Sequence, residues 1–194
     1  MKIYDISQEV LGCAVYPGDP QPQREVLQNM NSGDLYNLSA LHMCVHNGTH
    51  VDAPAHFIQD GTTVEALPLE SWVGMAYVAE HTGVLTADAA SVILAKAGDS
   101  CRHILIKGEA EVSLAAAEVF ARTGILLLGN ESQSVGPVDA PMAVHKVLLS
   151  RNIVLLEGIR LSAVAEGRYL LNAAPLNIAG AEGAPCRAIL IELN

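Results

Sequence analysis

The chain has 194 residues, and its 11 lysines and arginines against 21 aspartates and glutamates give a formal net charge of −10. A hydrophobic fraction of 51% with only 16% charged residues excludes a mainly disordered chain. The acidic charge and the aromatic fraction of 4% argue against a nucleic-acid partner, because they offer little to neutralise phosphates or stack on bases. The longest apolar run, residues 75–79, is too short to span a membrane, so no membrane partner is expected.

The N-terminal residues and the cysteines indicate a cytoplasmic protein. Residues 1–6 include Asp5 and contain no apolar core of a signal peptide. The four cysteines are widely separated and form no C-x-x-C pair. We therefore expect reduced thiols rather than disulfides or a thiolate metal site.

The predicted elements begin with strands and loops and change to alternating helices and strands in the second half. Residues 2–7 alternate as a short strand, residues 16–20 form a turn rich in proline and glycine, and residues 36–45 form a second strand. Six further elements follow: helices over 86–97, 113–122 and 141–150, and strands over 103–107, 125–128 and 153–156, before a last strand over 188–192. This order predicts one α/β domain over residues 1–194, with a mixed β-sheet and flanking helices.

Four of the seven histidines lie between residues 42 and 56. Within this segment His46, His50 and Asp52 offer three metal-ligand side chains in seven positions. Gly48 permits a tight turn and Pro54 stiffens the exit, so we predict a loop that wraps a metal ion rather than a helix.

Other side chains are weaker candidates when taken alone. His145 falls in a predicted helix and Glu157 directly follows a predicted strand, where most such side chains are simply exposed to solvent. His42 is expected to be structural, and the aromatic residues Trp72 and Tyr36 are expected to belong to the core. No G-x-S-x-G or phosphate-binding glycine motif is present in the sequence.

The histidine segment carries a resemblance to a known family. Residues 46–56 match every fixed position of the motif H-x-G-T-H-x-D-x-P-x-H. The chain thereby resembles the metal-dependent cyclase family that includes bacterial kynurenine formamidase and isatin hydrolase. Further landmarks occur in the expected order at residues 4–7, 16–20, 67–69 and 183–187, so the resemblance covers nearly the whole chain. It implies a swivelling β/β/α-like fold.

The resemblance also implies a metal site with a separate proton carrier. Its ligands form two groups that share a bridging Asp52: His46, His50 and Asp52, and then Asp52, His145 and Glu157. His56 is the general acid/base of this arrangement. The implied cofactor is a divalent metal, zinc or manganese, with one or two ions per subunit.

Two regions differ from the family pattern. Glu131 stands where an aspartate is expected in a G-x-D-x-x-S pattern, whereas Ser134 keeps the serine. Residues 107–109 occupy a region that is longer in the formamidases. Glu131 and Ser134 are therefore candidates for the substrate pocket.

The function implied by the resemblance is hydrolysis of a small amide, an arylformamide of the N-formylkynurenine kind or a related cyclic amide, by metal-activated water. Two alternatives remain: a cyclase, lactonase or dehydratase on the same metal site, or a non-catalytic protein that binds a metal or a small molecule. The apolar content, together with the resemblance, predicts a homo-oligomer, either a dimer or a tetramer.

Overall fold

A computed structural model describes residues 1–137 and 139–193 of the chain. This part contains three α-helices and thirteen strands. The strands are β1 (Lys2–Asp5), β2 (Gln23–Gln28), β3 (Leu38–His42), β4 (His50–Asp52), β5 (Val73–Glu80), β6 (Gly83–Leu85), β7 (His103–Lys107), β8 (Ala110–Val112), β9 (Leu127–Asn130), β10 (Val154–Glu157), β11 (Gly167–Asn172), β12 (Gly183–Pro185) and β13 (Ile189–Glu192). The helices are α1 (Ala87–Ala97), α2 (Leu114–Ala121) and α3 (Met142–Leu149).

Nine strands form one mixed sheet in the order β1-β13-β11-β5-β7-β9-β10-β4-β12. Strands β5, β7, β9 and β10 are parallel, and the flanking pairs are antiparallel. Side chains alternate between the two faces of the sheet: Leu128 and Leu155 pack with residues of the three helices, whereas Leu127 and Leu156 pack in the cluster around Trp72. The predicted mixed sheet with flanking helices is confirmed.

The helices begin where their capping residues predict. Thr86 accepts a hydrogen bond from a first-turn amide of α1, and Ser113 does the same for α2. Helix α1 ends at Gly98, which has a φ of 64°. All three predicted helices are present to within one residue at each end. Helix α3 directly follows Pro141.

Several strand predictions need correction. Strand β9 lies two residues later than predicted, and β10 includes Glu157 as its last residue. The strand predicted over 36–45 is the shorter β3, which pairs only with β2 in a separate ribbon whose side chains are mostly exposed. Tyr36 lies on this exposed segment, so its assignment to the core is wrong, whereas Trp72 is buried as expected.

Strand β4 is the element that organises the site. The sequence predicts a loop here, but the segment lies between β10 and β12 and is antiparallel to both. The register places His50 opposite Glu157, and Asp52 opposite Gly183. Backbone pairing on both sides therefore fixes the positions of two predicted ligands.

The cysteines are free thiols, as predicted. Over residues 1–137 and 139–193, no helix has the length and apolar character needed to cross a membrane.

Candidate metal centre

Four segments bring the predicted ligands together. Strand β4 carries His50 and Asp52 on the same face, as expected for residues two apart in an extended chain. Strand β10 ends at Glu157 beside them, and His145 projects from α3. His46 comes from the preceding turn, where Gly48 has a φ of 68°, a conformation that glycine adopts without strain.

The first group consists of His46, His50 and Asp52. The Nδ1 atom of His46 lies 2.9 Å from Oδ1 of Asp52, and the Nε2 atom of His50 lies 3.6 Å from the same oxygen. One donor atom from each of the three residues lies within 4.8 Å of the others. This spacing allows the three side chains to hold one metal ion.

The second group consists of Asp52, His145 and Glu157, all of which are buried. The Nε2 atom of His145 lies 3.5 Å from Oδ2 of Asp52 and 3.2 Å from Oε1 of Glu157. Oε2 of Glu157 lies 3.4 Å from Nε2 of His50, which connects the two groups. Asp52 is common to both groups and presents a different oxygen to each.

Backbone carbonyls orient two of the imidazoles. Nδ1 of His50 donates to the Gly48 carbonyl at 3.0 Å, and Nδ1 of His145 donates to the Pro141 carbonyl at 2.9 Å. In both rings the Nε2 atom is then left to face the carboxylates. Glu157 is fixed as well, because its Oε1 accepts the Val135 amide at 2.8 Å.

The electrostatics of the centre favour a bound cation. Burial raises the pKa of Asp52, but its contacts with the imidazoles of His145 and His46 outweigh this effect and hold the pKa well below 3.8. Burial lowers the pKa of His145, but its contacts with Asp52 and Glu157 raise it to about 10. The two carboxylates thus stabilise positive charge strongly enough to keep a buried imidazole protonated. A bound metal ion would replace that proton as the positive charge beside them.

These groups lie at a cavity of about 250 Å³. The described residues that line it are Tyr16, Asp19, His46, His50, His56, Phe57, Gln133, Ser134, Pro141, His145 and Glu157. This lining includes no lysine or arginine that could neutralise the carboxylates. Oδ2 of Asp52 is buried and has no hydrogen-bond donor among the described residues. A divalent metal therefore fits the donor set.

His56 lies beside the candidate ligands but belongs to neither group. It ends the 3-10 helix Pro54–His56, and its ring centroid lies 4.2 Å from that of His46 and 4.4 Å from that of Phe57. Burial lowers its pKa below 6.5, so the ring is neutral at neutral pH and able to accept a proton. The ring faces the cavity, where a substrate would lie.

The remaining histidines lie outside the cavity lining. His42 contacts Glu25 on the exposed ribbon, and His81 contacts the Val84 carbonyl. His103 is buried in β7, between the carbonyls of Met75 and Glu70. Their polar contacts are with the Glu25 carboxylate and with backbone carbonyls, which is typical of structural histidines.

The two substrate-pocket candidates have different positions. Ser134 lines the metal cavity, and its buried Oγ has no hydrogen-bond partner within residues 1–137 and 139–193. Glu131 does not line this cavity: its carboxylate accepts the amides of Gly108 and Leu161 and lines a separate cavity of about 550 Å³. The longer glutamate side chain thus connects the short 107–109 turn to the segment after β10.

Sequence reasoning missed several residues of the cavity. Tyr16 and Asp19 belong to the 16–20 turn, which the sequence marks only as a family landmark. Phe57 directly follows the histidine motif of residues 46–56. Gln133 belongs to the segment that also carries Ser134. Their positions next to recognised motifs were the only signal in the sequence.

Comparison with known proteins agrees with this geometry. The Cyclase family model matches residues 4–137. A kynurenine formamidase of Erythrobacter litoralis is 34% identical over 99% of this chain and 94% of its own length. A solved structure described as a potential metal-dependent hydrolase with cyclase activity has a TM-score of 0.82 at 30% identity, over 97% of this chain and 96% of that one.

An isatin hydrolase bound to the product analogue thioisatinate has a TM-score of 0.84 over 100% of this chain and 93% of that one. At 18% identity, this likeness shows that the fold is shared. The family model covers more than half of the chain, and the formamidase relative matches it almost from end to end. This chain is therefore a member of the cyclase family.

Proposed function

We propose that this chain is a metal-dependent hydrolase of small amides, with an arylformamide of the N-formylkynurenine kind as its substrate. The observation that carries the proposal is the convergence of Asp52, Glu157 and three histidines at one cavity, with His56 beside them. The kynurenine formamidase relative supports the amide class, because it is similar over nearly the full length of both chains.

The proposed cofactor is zinc or manganese, held as one or two ions. His46, His50 and Asp52 would hold the first ion, and Asp52, His145 and Glu157 the second. Imidazole and carboxylate donors without a thiolate suit either metal. When bound, a divalent ion would lower the pKa of water toward about 7 and polarise the substrate carbonyl.

The residues of the chain supply the proton transfers and the binding surface. Neutral His56 takes a proton as water adds to the amide carbon, and it returns that proton to the nitrogen as the C–N bond breaks, which releases an acid and an amine. Phe57 and Tyr16 provide aromatic surface for an aryl group. The Ser134 hydroxyl has no hydrogen-bond partner among the described residues, so it can form a hydrogen bond with substrate.

The experiment measures metal content and turnover together. Purified protein is analysed for metal and assayed with arylformamides, lactams and lactones, before and after chelation and after zinc or manganese is restored. We expect formamide hydrolysis that chelation abolishes and metal restores. A protein without bound metal, or metal-loaded protein that cleaves none of these substrates, would contradict the proposal.

Substitutions separate the proposed roles. His56→Ala should retain metal and lose about 10²–10⁴-fold in kcat, the usual contribution of a general acid/base. His50→Ala should lose metal as well as turnover. His81→Ala is the matched control, because His81 does not line the cavity. Unchanged turnover in metal-loaded His56→Ala would exclude His56 as the proton carrier.

The same panel tests the alternatives. Activity on lactones alone would favour the lactonase candidate, and a product with a new ring or double bond would favour a cyclase or dehydratase. Bound metal without turnover on any substrate would favour a binding protein. The cyclase alternative has support from the 30% identical structure, whose description includes cyclase activity.

We also propose a homo-oligomer, a dimer or a tetramer, assembled through the β2–β3 ribbon. Large apolar side chains are exposed in the connection between these two strands: Leu35 is 88% exposed and Met30 is 58% exposed. A two-stranded ribbon is only marginally stable by itself, so a partner surface would stabilise it. Light scattering should give a dimer or tetramer that Leu35→Asp weakens, and a monomer at assay concentration would contradict this assignment.

A cytoplasmic location is proposed from the four free thiols, which a reducing compartment preserves.

A further inference from the structure

His46 is oriented differently from the other two histidines of the metal centre. His50 and His145 use Nδ1 to donate to a backbone carbonyl and present Nε2 to the carboxylates. His46 has the opposite orientation, because its Nδ1 is the atom that lies 2.9 Å from Oδ1 of Asp52. Its Nε2 therefore points away from the centre and needs an acceptor of its own.

The nearest charged group to that atom is the carboxylate of Glu182. Oε1 of Glu182 lies 3.4 Å from Nε2 of His46, and this nitrogen is buried without a well-aligned hydrogen bond to any described residue. The Glu182 side chain is 44% exposed, so its carboxylate is accessible to water. Glu182 does not line the metal cavity, which separates it from direct contact with substrate.

The backbone of the same segment lies directly against the His46 imidazole. Gly183 pairs with Asp52 across β12 and β4, and the Glu182 carbonyl accepts the Ala53 amide at 2.8 Å. A Cβ atom on Gly183 would lie 2.6 Å from Cε1 of His46. The ring thus lies directly over a residue that has no side chain, with the carboxylate of the preceding residue at its outer nitrogen.

We propose that Glu182 is a positioning residue for the metal ligand His46: it accepts the Nε2–H proton and so directs the unprotonated Nδ1 atom to the metal. This inference rests on the proposed function, and it gives a role to Gly183, the first residue of the 183–187 landmark, and to the glutamate that precedes it. Metal-ligating histidines commonly donate their second nitrogen to a carboxylate or carbonyl, and loss of that acceptor typically weakens metal binding about 10- to 100-fold. The Gly48 carbonyl is the hydrogen-bond acceptor for His50, and the Pro141 carbonyl is the acceptor for His145. For His46 the acceptor is the Glu182 carboxylate.

The test measures metal affinity rather than activity alone. The dissociation constant for zinc and for manganese is determined by competition with a chromogenic chelator in wild-type protein, Glu182→Ala and Glu182→Gln. We expect Glu182→Ala to bind about 10- to 100-fold more weakly. Glu182→Gln keeps an acceptor oxygen without the charge, and it should fall between the two. With saturating metal, both variants should recover a kcat close to the wild-type value.

Two controls separate positioning from a general effect. Glu118→Gln removes one negative charge from the exposed face of α2, and it should leave metal affinity unchanged. Thermal unfolding of the metal-free proteins should be the same in wild type and Glu182→Gln, whereas a merely structural role would lower the midpoint. Gly183→Ala would place a Cβ atom 2.6 Å from Cε1 of His46 and 2.8 Å from the Val51 carbonyl oxygen, so it should weaken metal binding in protein that circular dichroism shows to be folded.

The metal-affinity measurements separate failure of this inference from failure of the proposed function. If wild-type protein binds metal and Glu182→Ala binds it equally well, the positioning role is wrong and the hydrolase proposal stands. If wild-type protein binds no divalent metal, both are wrong.

Discussion

Replacing Glu131 tests whether this residue braces two segments of backbone or contacts substrate. Its carboxylate accepts the Gly108 amide at 2.7 Å and the Leu161 amide at 2.8 Å. Glu131→Ala leaves both donors unsatisfied, and Leu161 is fully buried. Hydrogen bonds to a charged group contribute about 1.5–3 kcal/mol each. Because Gly108 is only half-buried, we expect a total loss of about 3 kcal/mol in the free energy of unfolding.

The assay combines denaturant unfolding with steady-state kinetics on metal-loaded protein. For a domain of this size, that loss corresponds to a fall of roughly 6–12 °C in the unfolding midpoint. Glu131→Gln retains one acceptor oxygen and should lose about half as much. Glu111→Gln is the matched control, since this exposed glutamate lines the same cavity of about 550 Å³ as Glu131. If Glu131→Ala kept wild-type stability but raised KM more than tenfold, the substrate-contact interpretation would be correct and ours refuted.

Three further substitutions test other parts of the fold. Ser113→Ala removes the N-terminal cap of α2 and should cost about 1 kcal/mol of unfolding free energy, as measured in urea. Gly74→Ala places a Cβ atom 2.6 Å from Cε1 of buried His103, and it should destabilise the protein by about 1–3 kcal/mol; a neutral result would show that the ring moves freely. The Lys96 ammonium, followed by other hydrogen bonds, lowers the pKa of Glu166 from 4.5 to about 2. The stabilisation is therefore complete above pH 4.5 and is lost as the pH falls toward 2. Glu166→Gln should be about 1 kcal/mol less stable at pH 7, since the ion pair is partly exposed to solvent, and the difference from wild type should vanish below about pH 2; a constant difference would contradict this sign.

The parts of this fold that depend on local chemistry were predictable from the sequence. Helices α1 and α2 begin at Thr86 and Ser113 because these side chains satisfy amides of the first turn, whatever the rest of the chain does. The residues of the motif are close in sequence, so their spacing is informative before any tertiary contact is known.

The parts that depend on pairing between distant segments were not predictable. Strand β4 has only three residues, too few for a period, and its extended conformation depends on β10 and β12. Tyr36 looks like a core residue by type, but it lies in the connection between β2 and β3 and its side chain is exposed. Glu131 was assigned to the pocket by its place in a motif, whereas its side chain points to two backbone amides.

The register of β4 also dictates when the chain can acquire its metal during synthesis. His50 lies opposite Glu157, and Asp52 lies opposite Gly183, so the strands on both sides of β4 are made long after it. A nascent chain that has emerged only as far as α2 contains the whole histidine motif but no partner strand to hold it. Closing such long loops has an entropic cost that only the assembled sheet recovers. We therefore expect tight metal binding only after β10 and β12 have been synthesised and have paired with β4.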